Sequence, residues 1–418
     1  MSGHDETFSA LNGPDPSAAL AGVDPRASAL KRLVSKLAFG ELRVVAPGGG
    51  AMTFAGERPG PSATIALKRW RAVRRVVSSG DVGFAEAYID GDWTTNDLVA
   101  VIRLAVRNLG ALDKTMRGAA LFRWTNRLRH WLRPNSRRGS RANIVSHYDL
   151  GNDFYRLWLD PKMIYSSALY ADGETDLAAA QAQKLARIGD LLALEGGEQV
   201  LEIGCGWGAL AESLAQSRGA KVTALTLSPS QLRWAKDSAA AQGVGDAIDY
   251  RLQDYRDVQG SFDRVVSIEM IEAVGEAWWP TYFATLARAL RPGGRVVLQA
   301  ITIADDRYES YRKAPDFIQR HIFPGGFLPS KSAFAEQVER AGLRLRASEC
   351  FGASYARTLA EWRRRFHANW REISAQGFDE RFRRLWDYYL CYCEAGFAEG
   401  AIDVGLYVLE PTTPAARS

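Results

Sequence analysis

The stretch VLEIGCGWGAL, Val200 to Leu210, constrains this chain more than any other. An apolar run stops at three alternating glycines and resumes with a helical pattern. A run of that kind suits a strand buried on both faces, as in a parallel sheet covered by helices. KVTALTL, FDRVVSIEM and GGRVVLQAIT repeat the theme with helical segments between them. The alternation predicts an α/β fold with a Rossmann-like sheet over residues 144–418. LRLRASECFG and IDVGLYVLE are expected to add an antiparallel pair at one edge. Ligands of such sheets sit beyond the carboxyl ends of the strands, near the first crossover, and the loop Gly204–Gly208 falls there.

A dinucleotide is the wrong ligand for this loop. The spacing is G-x-G-x-G, and the second strand ends in LTLSPSQ rather than in the acidic residue that grips a ribose. The loop also offers a carboxylate, Glu202, and an indole, Trp207, where a phosphate cradle presents bare backbone donors.

Ahead of the sheet, the composition changes along the chain. Residues 1–26 are rich in Ala, Gly, Pro and Asp and are expected to be disordered. Residues 27–115 read as a small mixed domain, with LRVVAPGGGAMTFAG as a hairpin, then strand, helix, acidic turn and helix. Residues 116–143 form a basic amphipathic helix and linker. No acidic residue occurs between Asp113 and Asp149, and Leu121, Trp124, Leu128, Trp131 and Leu132 share one helical face up to Pro134. That helix either packs on its own protein or meets an anionic partner, lipid headgroups or nucleic acid. No apolar run is long enough to span a bilayer, and Asp5 and Glu6 do not suit a secretory signal. The four cysteines lack ligand-pair spacing, so no metal site is expected, and a reduced cytoplasm is the expected compartment.

LEIGCGWG followed by LTLSPSQL resembles the S-adenosylmethionine site of the cyclopropane-fatty-acyl-phospholipid synthases and mycolic-acid methyltransferases. HYDLGNDFYRLWLDPKMIYSS, LQDYRD, FDRVVSIEMIEAVG, IFPGGFLPS and YARTLAEW resemble the same family in the same order, and GDVGFAEAYIDGDW resembles its N-terminal lipid-binding domain. The resemblance implies a class I methyltransferase sheet, preceded by a smaller lipid-binding domain. It implies that Gly204, Gly206, Thr226, Leu227 and Gln231 line the cofactor, with Gln231 on the ribose. Glu202 would support the loop and the ligand's ammonium, Trp207 would wall the pocket, and Asp254 would meet the adenine. Tyr165 and Ser166 would cover the cofactor from the substrate side, and the His147–Asp149 stretch would form a lid. The insertion from Asp306 to Ser330 would cover the acyl site.

The implied acceptor is a cis double bond in a phospholipid acyl chain, at the cytoplasmic face of the inner membrane. The implied anionic partner is then lipid, not nucleic acid, and relatives suggest a homodimer. Alkene attack on a methyl sulfonium leaves a carbocation, from which a proton must depart to give a cyclopropane or a methyl-branched, unsaturated chain. Glu272 is the expected organiser of that proton loss, helping to hold a bicarbonate as base. Tyr355 and the backbone of Ile301 complete the implied cage. Ser167 and Gln299 stand where many cyclopropane synthases have cysteine and histidine; this departure favours the branched, unsaturated product. The resemblance assigns no role to Glu269. Tyr388, Tyr389 and Tyr392 are candidates for lining an acyl tunnel. The competing classes are a small-molecule O- or N-methyltransferase and a non-catalytic lipid-binding protein; the presence of both Glu272 and Tyr355 argues against each.

Overall fold

The computed structural model describes residues 25–115, 150–313 and 315–412. The expected disordered tail, the basic helix from Gly118 to Pro134 and the His147–Asp149 stretch lie outside these residues, apart from Pro25 and Arg26. Two compact units divide the chain.

In the first unit, β1 (Phe39–Val45), β2 (Ala51–Ala55), β3 (Arg58–Leu67) and β4 (Trp93–Thr94) form one sheet in the order β2-β1-β3-β4. The expected hairpin is β1–β2, turned through Gly48 and Gly49 at positive φ. Helices Arg71–Ile89 and Leu98–Thr115 follow as expected, separated by the acidic turn. That turn is an electrostatic lock: the wholly buried Asp92 receives Arg69, Arg71 and Arg75.

One expectation on domain boundaries needs correction. Phe378–Glu399 belongs to the first unit, not to the sheet domain of residues 144–418. The physical reason lies in helix Glu380–Ala398. Arg384 donates to the Tyr88 and Trp93 carbonyls (2.6 and 2.8 Å), and Asp387 accepts from the Tyr88 hydroxyl (2.8 Å). Arg103 and Arg107 both pair with Glu399. Tyr388 packs against Tyr88, so the three tyrosines proposed for an acyl tunnel sit on a helix of this unit.

The second unit carries the seven-stranded sheet β10-β11-β9-β8-β5-β6-β7. Its strands are β5 (Gln199–Ile203), β6 (Lys221–Thr226), β7 (Ile248–Leu252), β8 (Phe262–Ile268), β9 (Leu290–Ile303), β10 (Leu343–Cys350) and β11 (Ile402–Pro411). β5 to β9 pair in parallel, while β11 runs antiparallel to both β9 and β10, as the edge motifs imply. Leu201, Val265, Val296, Leu298 and Leu409 form its core with Phe283 and Leu286 from the covering helix Trp279–Ala289. The strand order reverses at β5 and β8, whose carboxyl ends therefore border the crevice where a ligand sits. All four cysteines are free. Among the described residues no helix is long and apolar enough to cross a membrane.

Candidate active site

The glycine loop is fixed from below. Gly204 and Cys205 both donate their N–H groups to the Leu225 carbonyl of β6 (3.0 and 2.8 Å). Gly204, Gly206 and Gly208 all adopt positive φ, the left-handed region that glycine reaches without strain. Gly208 then opens helix Ala209–Arg218, and the Glu202 carboxylate accepts from the N–H of Ala211 in its first turn. Burial pushes Glu202 up to about 8, and its Oε2 is buried without a hydrogen-bond partner among the described residues. Trp207 donates its indole N–H to Asn152 (2.8 Å) and packs on Tyr155.

At the end of β6, the SPSQ sequence caps a helix. Ser228 accepts from the Gln231 N–H at its N-terminus and Pro229 takes the first helical position. The Thr226 hydroxyl donates to Gln231 Oε1 (2.9 Å), so Gln231 is held beside the strand end, with Leu227 between. Asp254 is placed beyond β7, but its carboxylate is engaged twice over by Arg256 (2.8 and 2.7 Å) and caps the turn Tyr255–Asp257.

Tyr165 stands in an aromatic cluster with Tyr155, Trp158 and Trp362. The next two residues turn inward. Ser166 accepts from the ammonium of Lys184 (2.6 Å), and its carbonyl accepts from Gln181 (2.9 Å). Lys184 is 1 % exposed, and burial pulls its ammonium down to about 8. The sequence reading missed it, although it shares a helical stripe with Leu177, Gln181 and Ile188, whose spacing would have placed it in the core.

The catalytic candidates do come together, around Glu269. Its Oε1 accepts from the Ser167 N–H (2.9 Å) and from the Gln299 amide (2.7 Å), and its Oε2 accepts from the Tyr355 hydroxyl (2.7 Å). The Ser167 hydroxyl, expected to serve the cage, instead donates to the Ala168 carbonyl; the backbone N–H does the work. Glu272, in the turn that follows β8, accepts from the Ile301 N–H (2.6 Å). Its other oxygen, Oε2, is buried and without a hydrogen-bond partner among the described residues. Burial and the neighbouring Glu269 push Glu272 up to about 8, so at neutral pH it carries a proton. Burial also raises Glu269, opposed by its three donors and by Lys184. The two carboxyl groups thus differ in their surroundings, Glu269 accepting three hydrogen bonds and Glu272 one. The insertion lies against this turn, with the Phe327 N–H on the Glu272 carbonyl (2.8 Å).

A family model, mycolic acid cyclopropane synthetase, matches residues 135–406. The tuberculostearic acid methyltransferase of Mycobacterium tuberculosis is 41% identical over 80% of this chain and 80% of its own. The cyclopropane-fatty-acyl-phospholipid synthase of Escherichia coli is 36% identical over 80% of this chain and 84% of its own. The chain belongs to the mycolic acid cyclopropane synthetase family. Among solved members, a cyclopropane synthase from Mycobacterium tuberculosis superposes with a TM-score of 0.61 at 30% identity, covering 64% of this chain and 97% of that one. The crystal structure of a mycolic acid cyclopropane synthase complexed with SAH and CTAB gives 0.60 at 29% identity, over 64% and 97% of the two chains. This member of the synthetase family is accordingly an S-adenosylmethionine-dependent methyltransferase with a class I sheet.

Proposed function

We propose that the protein transfers a methyl group from S-adenosylmethionine to the cis double bond of a phospholipid acyl chain, and that the product stays unsaturated. The observation that carries this reading is the paired Glu269 and Glu272 at the carboxyl edge of β8. A heteroatom acceptor asks for a base beside an oxygen or nitrogen. An alkene acceptor asks for a partly dry pocket with a fixed anion facing a developing cation, and for a place to put a proton. The hydrogen-bonded Glu269 and the aromatic cluster around Tyr165 supply that environment.

The loop fits the cofactor. Gly206 faces open space, so ligand atoms can approach its backbone, and the orphaned Glu202 Oε2 is an acceptor for an ammonium. Gly204, Thr226, Leu227 and Gln231 would hold the ribose and amino-acid parts, with Trp207 as a wall. When bound, the cofactor supplies an electrophilic methyl. The residues of this chain exclude water from it, stabilise the cation and take the proton.

Methyl-deuterated S-adenosylmethionine tests the product. The protein is incubated with vesicles of a cis-monounsaturated phosphatidylglycerol, and the released fatty acids are examined by mass spectrometry and ozonolysis. A methylated chain that is cleaved by ozone is expected. A chain that resists ozone and retains two of the three deuterons would replace this reading with cyclopropane synthesis.

The basic segment 118–134, whose sequence has the pattern of an amphipathic helix, and the N-terminal unit are the proposed membrane contact. Screening over about 8 Å at physiological ionic strength makes such attraction salt-sensitive. Sedimentation with anionic vesicles should fall with added salt and in a variant with Arg123→Glu and Arg127→Glu. Equal binding to neutral vesicles at all salt levels would remove the electrostatic part.

A further inference from the structure

The residues that the family resemblance assigns to a bicarbonate cage do not fit a second anion. Three of them, the Ser167 N–H, the Gln299 amide and the Tyr355 hydroxyl, already donate to Glu269. The fourth, the Ile301 N–H, donates to Glu272. What stands among them is a planar carboxyl group, with the shape and donor demands of bicarbonate but attached to the chain. We propose that Glu269 is the proton acceptor of the reaction, a built-in carboxylate in place of bicarbonate. This rests on the alkene-methylation reading above.

Four observations support the assignment. Glu269 accepts three hydrogen bonds, each of which favours its charged form against the cost of burial, whereas Glu272 accepts one. Lys184, beneath Ser166, supplies a compensating positive charge, which makes a buried anion tolerable. Glu269 is not wholly buried among the described residues. Finally, Glu269 follows the last residue of β8, and a Cβ on Gly204 would come within 3.0 Å of the adjoining Met270, so the anion stands next to the cofactor loop.

The step balances without another reactant. Methyl transfer leaves a cationic carbon in the acyl chain. A nearby C–H bond then breaks, its electron pair forms the new carbon–carbon bond at the cationic centre, and the proton goes to a Glu269 oxygen. The carboxylate becomes a carboxylic acid and later returns the proton to solvent.

Glu269 adopts φ +48°, which glycine takes without strain, so Glu269→Gly is the variant that empties the cage with least disturbance to the backbone. Two readouts test the proposal on the purified full chain. The first is methyl transfer to cis-monounsaturated phosphatidylglycerol vesicles, in carbonate-free buffer under nitrogen and with millimolar bicarbonate. Wild type should be indifferent to bicarbonate. Glu269→Gly should lose about 100-fold or more, in the range of general-base contributions, and regain part of it when bicarbonate is added. Glu269→Gln, which fills the cage with a neutral amide, should lose as much and regain nothing. Wild-type turnover that collapses without bicarbonate, or full Glu269→Gly activity in its absence, would overturn the proposal. The second readout needs no turnover. Carbon-13 NMR of labelled bicarbonate should broaden with Glu269→Gly and not with wild type; broadening by wild type alone would also overturn it. If wild type methylates no vesicle in either buffer, the substrate reading falls, and the NMR comparison still decides the place of Glu269.

Discussion

Gly206 and Gly208 are two residues apart, and each must be glycine for its own reason. A Cβ on Gly208 would lie 2.6 Å from the Tyr250 hydroxyl and 2.9 Å from the Ala235 Cβ, at φ +96°. A Cβ on Gly206 would meet nothing within 4 Å, at φ +53°. Gly208→Ala should therefore destabilise the fold by about 1–3 kcal/mol, from overpacking and backbone strain, seen as a lower melting temperature. Gly206→Ala should lower melting less, through backbone strain of about 1 kcal/mol alone, and weaken cofactor affinity in calorimetric titration. The reverse pattern would mean that the open side of the loop is not the ligand side. The motif was legible at this scale because three glycines after an apolar strand have few other uses. The catalytic centre was legible only in part. Glu272, Tyr355, Gln299 and Ile301 could each be picked out from the family pattern, but the pattern has no place for Glu269. Only the folded chain brings residues 167, 299 and 355 onto one carboxylate, across as many as 102 positions of sequence.

Among the elements, the junction of β5 with helix Ala209–Arg218 carries a pH signature. Glu202 is held up at about 8 because burial disfavours its charge, and Glu212 beside it adds repulsion. Its ordinary value is 4.5, so the folded state holds this proton more tightly than the unfolded state. The associated stability is present at low pH and is lost as pH rises from about 4.5 through about 8; Glu272 acts in the same direction. Glu202→Gln, neutral at every pH, should flatten that part of the melting-temperature profile. An unchanged slope would place the titrating group elsewhere. The strands themselves were readable from their apolar runs, and the edge pair β10–β11 from its position after the last parallel strand. Lys184 shows the limit of such reading: helical periodicity puts it on the inner face, while its charge argues for the outer one. The conflict is resolved only by Ser166 and the carboxylates around it.

At the scale of the molecule, the first unit is built from two distant stretches of chain. Helix Glu380–Ala398 brings Arg384 to two backbone carbonyls and Glu399 to Arg103 and Arg107. Composition gave no hint of this return, because an amphipathic aromatic helix reads the same whichever core receives it. Arg384→Ala should leave the Tyr88 and Trp93 carbonyls short of a donor and cost the unit about 1–3 kcal/mol, measured as earlier proteolysis or melting. Insensitivity to that change would show that apolar packing alone holds the helix. The discontinuity also has a bearing on synthesis. Domains usually fold as they leave the ribosome, in order, at about 5–20 residues per second. Here the opening unit must wait for a helix made after the greater part of the second unit, a delay on the order of tens of seconds. Through that interval the faces around Tyr88 and Trp93 lack their covering helix, and the nascent chain is a natural client for a chaperone.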